Sequence, residues 1–64
     1  MEYTTMQAAY EQLKSLVAAV EEDVNKAVGG NRAAGTRVRL QMQDIKNKAK
    51  DLRVKVLELS LIHI

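Results

Sequence analysis

Apolar and small side chains recur at alternating intervals of three and four residues through the first half of the chain. They are Tyr3, Met6, Tyr10, Leu13, Val17, Val20, Val24 and Ala27. This is the a/d repeat of a helix that packs against other helices. Thr4 and Gln7 have the spacing of a capping box, and Gly29-Gly30-Asn31 supplies residues that end a helix. The pattern predicts a first helix over about residues 5–28.

The same alternation returns after the glycines. Its members are Val38, Met42, Ile45, Ala49, Leu52, Val56 and Leu59. Asn31 is a favourable N-cap for this second segment. Gly35 lies on the same stripe, where a missing side chain would let the two helices approach closely. We therefore predict a second helix over about residues 32–58, after a turn at residues 29–31.

A turn of three residues makes consecutive helices antiparallel neighbours, so facing residues should have numbers that sum to about 60. Under this rule Val17 faces Met42 and Ile45, and the two stripes stay in register along the hairpin. The rule also places Arg37 near Asp23, and Arg39 near Glu21. The predicted fold is all-α, an antiparallel two-helix hairpin of coiled-coil type that forms one domain over residues 1–58.

A two-helix hairpin covers each stripe on one side only. The chain has no Cys and one His, which excludes disulfides and argues against a structural zinc. A core this small contributes roughly 3–5 kcal/mol, so oligomerisation is the remaining source of stability. We expect two hairpins to pair into a four-helix dimer with two-fold symmetry. The predicted self-association surface comprises Val17, Val20, Ile45 and Leu52, extended by Leu16 and Leu40.

Several classes of function have no support in the sequence. No apolar run approaches the ~20 residues of a membrane span, and the N-terminus lacks the features of a signal peptide. These features predict a cytoplasmic protein without a membrane partner. Consecutive carboxylates at Glu21-Glu22-Asp23 point around a helix, so they do not form a metal site. No nucleophile has a base partner, and we expect no enzymatic activity, no cofactor and no small-molecule substrate.

Charge is distributed unevenly between the two halves. Residues 1–31 carry two basic and five acidic side chains, net −3, whereas residues 32–64 carry eight basic and three acidic ones, net +5. Arg32, Arg39, Lys46 and Arg53 recur every seven residues and so form one row along the second helix, with Lys50 beside it. Such a row is typical of a phosphate-binding surface, or of a solubilising flank beside a coiled-coil seam.

The last six residues, Leu59-Ser60-Leu61-Ile62-His63-Ile64, are uncharged and depart from the preceding pattern. They can be back-translated as CTG TCT CTT ATA CAC ATC, the transposase mosaic-end adaptor of sequencing libraries. We expect residues 59–64 to be an adaptor artefact and the gene to run on past Glu58. The alternative is a natural hydrophobic tail. His63 is accordingly not interpreted as a ligand or a base.

The segment GNRAAGTRVR, residues 30–39, resembles the turn and helix start of the chlamydial-type linker-histone-like nucleoid proteins. The resemblance is to their N-terminal domain and extends from Tyr10 to Leu57. It implies a DNA-binding protein that compacts the bacterial chromosome, with a helical domain that self-associates and a long Lys/Ala-rich tail. No such tail is present in this sequence, and truncation at the adaptor would explain its absence.

The resemblance favours DNA contact by the row Arg32, Arg39, Lys46 and Arg53, with Lys50. We expect contact with double-stranded DNA through its backbone, without sequence preference, because the helix-turn-helix spacing needed to read bases is absent. The competing interpretation is a coiled-coil structural or adaptor module with no nucleic-acid role. A Lys/Ala/Pro-rich continuation of the gene would favour the first interpretation, and further heptads would favour the second.

Overall fold

The computed structural model describes residues 5–62, with side chains described for residues 5–59. Two α-helices, α1 (Thr5–Val28) and α2 (Arg32–Ile62), pack against each other as an antiparallel hairpin. The molecule measures 50 × 22 × 11 Å. This confirms the predicted all-α two-helix hairpin. Tyr3 and Thr4, used above for the heptad repeat and the capping box, lie outside the described residues.

The turn between the helices uses glycine as the sequence predicts. Gly30 has φ 102°, a left-handed conformation that residues with a side chain rarely adopt. The Asn31 N–H donates to the Lys26 carbonyl at 3.0 Å, and the Gly30 N–H donates to the Ala27 carbonyl at 3.0 Å. These two hydrogen bonds end α1 by satisfying its last carbonyls. The Asn31 side-chain oxygen then accepts from the Ala34 N–H at 3.0 Å, which caps α2.

Two side-chain contacts fix the register of the hairpin. The Arg37 guanidinium binds the Asp23 carboxylate at 2.9 Å, and Lys48 Nζ donates to Gln12 Oε1 at 2.7 Å. Both pairs have residue numbers that sum to 60, as the turn length predicts. Arg39 and Glu21, which the same rule places near each other, form no ion pair among the described side chains, so their proximity stays a prediction.

The contact between the helices is centred on small residues. Ala34 has no exposed surface, and Ala9 and Val20 are 3% and 4% exposed. By contrast Val17 and Met42, which the heptad pattern placed inside the contact, are 51% and 43% exposed. Tyr10 and Val56, assigned to the same stripes, are 50% and 43% exposed. The prediction that both apolar rows of each helix lie between the helices is therefore wrong.

The physical reason is a rotation of each helix toward its small and polar side. In α1 the row at Ala9 and Leu16 replaces the row at Tyr10 and Val17 in the contact. Alanines let the backbones approach closely, and the Arg37–Asp23 ion pair joins the two helices on the same side. The close approach predicted at Gly35 occurs at Ala34 instead, since a side chain built on Gly35 would meet nothing within 4 Å.

The hairpin consequently has two unlike faces. We call the side that carries the cross-helix contacts Arg37–Asp23 and Lys48–Gln12 the polar face; the Asp51–Lys55 pair within α2 lies on the same side. The opposite side we call the apolar face; its exposed residues are Tyr10, Val17, Met42, Ala49 and Val56. A shallow groove in the apolar face is lined by Met6, Gln7, Tyr10, Leu52 and Val56, which shows that these rows of α1 and α2 adjoin.

The C-terminal part of α2 continues past the predicted domain boundary at residue 58 as far as Ile62. Leu59, the last residue with a described side chain, is 40% exposed. The origin of residues 59–64 in an adaptor stays a prediction, and His63 lies outside the described residues. Between residues 5 and 62 the structure contains no helix long and apolar enough to cross a membrane.

Candidate nucleic-acid interface

The basic row Arg32, Arg39, Lys46 and Arg53 lies along one side of α2, and every member is exposed. Arg39 precedes Met42 by three residues and Arg53 precedes Val56 by three, so the row borders the apolar face. Lys50 is exposed as well, on the outer surface of α2. The capped α2 keeps these cations in line because it is an uninterrupted helix from Arg32 onward.

The remaining basic residues all have partners inside the hairpin. Arg37 binds Asp23, Lys55 binds Asp51 at 2.8 Å, and Lys48 donates to Gln12. On α1, Lys26 pairs with Glu22 at 3.1 Å; Lys14 lies 3.8 Å from Glu11 and 5.6 Å from the Tyr10 ring centroid.

The five basic residues that the sequence predicts for DNA contact are therefore those that have no partner among the described side chains. Among the side chains of residues 5–59, those of Arg32, Arg39, Lys46, Lys50 and Arg53 form no ion pair or side-chain hydrogen bond. Five cations of ten are thus available to an anionic partner, all of them on α2.

The paired charges are perturbed in the direction expected for structural contacts. The hydrogen bond from Arg37 lowers the pKa of the Asp23 carboxyl, and that from Lys55 lowers the pKa of Asp51. The same bond to Asp51 raises the pKa of the Lys55 amine. The Asp23–Arg37 pair joins the two helices and the Asp51–Lys55 pair lies within α2, so these charges already have partners, unlike those of the basic row.

The dimensions of the row suit a duplex backbone. Its 21-residue span from Arg32 to Arg53 covers about 31 Å at 1.5 Å per residue, which equals the rise of about nine base pairs. Successive members are about 10.5 Å apart, about three times the 3.4 Å rise per phosphate along one DNA strand.

The described residues around the row offer neither a metal site nor aromatic rings for base stacking. Within the described part of the chain no group of His, Asp and Glu side chains could hold a metal ion. Tyr10 is half-exposed, contrary to its predicted place in the core, but it lies on α1 with Lys14 over its ring. The row therefore lacks aromatic platforms on which single-stranded bases could stack.

The residues predicted for self-association occupy three different environments. Val20 is buried inside the hairpin, and Leu16, Ile45 and Leu52 are partly buried between the helices. Val17 and Leu40 are exposed, but Leu40 lies about 200° around α2 from Met42 and thus off the apolar face.

Sequence reasoning missed the role of the other apolar rows. It assigned Tyr10, Met42 and Val56 to the contact between helices, whereas the structure leaves them on an outward face. The signal for that face was present as the seven-residue spacing of these rows, but spacing does not state which row turns outward.

Comparison with known proteins gives one positive result. The family model described as histone H1-like protein Hc1 matches residues 7–61. Searches of curated proteins and of solved structures gave no match. The matched segment includes both helices, the turn and the whole basic row, and it covers most of the 64 residues. The chain therefore belongs to the family of histone H1-like protein Hc1.

Proposed function

We propose that this chain compacts DNA in the bacterial nucleoid, and that its hairpin contacts the duplex backbone through the basic row without reading sequence. The family is one of DNA-binding, histone-like structural proteins and not of enzymes, and a nucleoid protein works in the cytoplasm. The observation that supports the specific surface is that Arg32, Arg39, Lys46, Lys50 and Arg53 are exposed and have no partner among the described side chains.

The physical mechanism is release of condensed counterions. Each phosphate that a cation neutralises frees counterions from the DNA, so log affinity falls with log salt by about 0.9 per contact. One row offers four aligned cations and Lys50 beside them. Four contacts would weaken binding about 150-fold between 50 and 200 mM salt. Binding of this kind depends on phosphate positions and is indifferent to base sequence.

Self-association is the second part of the proposal. The exposed residues of the apolar face extend from Met42 to Val56 on α2, about 21 Å at 1.5 Å per residue, across a hairpin 22 Å wide, an area on the order of 500 Å². A patch of this size is as large as the largest apolar patch of a typical monomer and often marks an interaction surface. In a standard interface of about 800 Å² per partner it would form the centre, with the bordering polar residues around it. Tyr10, Val17, Met42 and Val56 are each between 43% and 51% exposed and would be covered by it.

The test of DNA contact is fluorescence anisotropy on two unrelated duplexes over a series of salt concentrations. The variant Lys46→Glu/Lys50→Glu/Arg53→Glu removes two of the four row contacts, so it should reduce the salt slope by at least about 1.8 and weaken binding to both duplexes equally. Lys46→Glu alone should weaken binding more than Lys26→Glu, a matched reversal on α1 with the same change in charge.

Two results would contradict this surface. Equal effects of Lys46→Glu and Lys26→Glu would mean that only net charge matters. Unchanged binding by the triple variant would favour the second candidate function, a coiled-coil module whose partner is another helix. The exposed apolar face is the observation that supports this second candidate function.

A further inference from the structure

We infer that two hairpins joined through the apolar face carry their basic rows on opposite edges, so that one dimer links two separate DNA duplexes. The inference rests on the proposed function, both for self-association and for phosphate contact. It adds the relative placement of the two basic rows in the dimer, which follows from the position of the basic row beside the apolar face.

The two long edges of the apolar face differ in charge. Along α2 the edge is the basic row, because Arg39, Lys46 and Arg53 are three or four residues from Met42 and Val56. Along α1 the corresponding edge carries Gln7, Lys14, Glu21 and Val28, which are three or four residues from Tyr10, Val17 and Val24. One edge therefore has four positive charges, and the other has a net charge of zero.

Two hairpins can meet face to face with two-fold symmetry in two ways. In the first, each α2 lies over the α2 of the second copy, and the turns are at opposite ends of the dimer. In the second, each α2 lies over the α1 of the second copy, and the turns are at the same end.

Charge favours the second way. With α2 over α2 the two basic rows run alongside each other, so that Lys46 meets Lys46 and Arg39 meets Arg53. Like charges placed against each other disfavour an interface. With α2 over α1, the turns lie at the same end, so the register within one hairpin also holds between the copies. Arg39 is then level with Glu21 of the second copy, because 39 and 21 sum to 60. Lys46 still meets Lys14, but the edge as a whole joins a basic row to a neutral one.

The consequence for DNA is geometrical. In the favoured dimer the two rows lie on opposite edges, separated by a hairpin width of about 22 Å. A single duplex running along one edge cannot reach the other row. Each dimer therefore has two duplex-binding edges and acts as a bridge, which compacts DNA by joining distant segments.

The first experiment measures the arrangement of the dimer. The chain has no Cys, so Val28→Cys near the turn accepts a single spin label, and Val28 is 84% exposed. Pulsed electron spin resonance should give a distance set by the 22 Å width of the hairpin. A distance close to its 50 Å length would place the turns at opposite ends and overturn the inference.

The second experiment measures bridging with the 64-residue chain, using one immobilised duplex and a second, labelled duplex. Val17→Asn/Met42→Asn changes no charge and places two amides in the face, so it should abolish capture of the labelled duplex. Leu40→Asn is the control, because Leu40 is 61% exposed and lies off both the apolar face and the basic row; it should bridge like the parent. Circular dichroism of both variants establishes that the helices are intact.

Anisotropy on one duplex separates the possible failures. If the rows are on opposite edges, Val17→Asn/Met42→Asn should keep the salt slope of the parent, because each duplex touches one row in either case. A slope that falls by half would mean that both rows of a dimer contact the same duplex, and would overturn the inference. Absence of any salt slope in the parent would instead refute the proposed phosphate contact, and a parent that stays monomeric would refute the proposed self-association.

Discussion

Val20 and Val17 offer a matched test of which row of α1 faces α2. The residues are identical, three positions apart on one helix, but Val20 is 4% exposed and Val17 is 51% exposed. Replacing either by Ala removes two methyl groups and improves helix propensity equally, by at most about 0.7 kcal/mol. Any difference between the two variants therefore reports burial alone.

The magnitude follows from that burial. Two fully buried methyl groups contribute about 1.6 kcal/mol, and half-buried ones about 0.8 kcal/mol. After the gain in propensity, Val20→Ala should lower the free energy of unfolding by about 1 kcal/mol, and Val17→Ala should leave it nearly unchanged. A difference near 1 kcal/mol corresponds to about 4–8 °C in melting temperature for a domain of this size.

The assay is thermal unfolding followed by circular dichroism at two protein concentrations. At low concentration only the hairpin contact contributes, so Val20→Ala should melt below Val17→Ala. At high concentration the apolar face is covered in the proposed dimer, and Val17→Ala should become destabilising as well. Equal melting of the two variants in dilute solution would refute the packing described here and restore the predicted heptad seam.

Two further expectations concern the turn and the ion pairs. Gly35→Ala should raise stability by about 1 kcal/mol because its side chain meets nothing within 4 Å, whereas Gly30→Ala should lower it because φ is 102°; urea unfolding of both variants checks the contrast. The pKa of Asp23 and of Asp51 is lowered by Arg37 and Lys55, so these groups contribute stability that is present above about pH 4 and is lost as pH falls through the lowered pKa. Melting temperature against pH should therefore fall in acid; Asp23→Asn should flatten that fall, and a fall of unchanged size would contradict the assignment.

The linear pattern determined the elements of this protein. Apolar spacing of three and four specifies helices, Gly30 and Asn31 specify where one ends and the next begins, and a turn of three residues makes them antiparallel neighbours. The same arithmetic placed Arg37 against Asp23, a contact that the structure contains at 2.9 Å. The five cations assigned to DNA from their spacing are also those left without a partner among the described side chains.

Only the tertiary structure decided which apolar row turns inward. Neighbouring rows of a heptad are separated by about 50° of rotation, and both rows of α1 satisfy the same spacing. The choice depends on interactions that involve both helices at once, namely the burial of Ala9 and of Ala34 against the opposite helix and the ion pair of Asp23 with Arg37. Since those pairs form only when the helices meet, the spacing within either helix could not reveal that Val17 and Met42 remain on an open face beside the basic row.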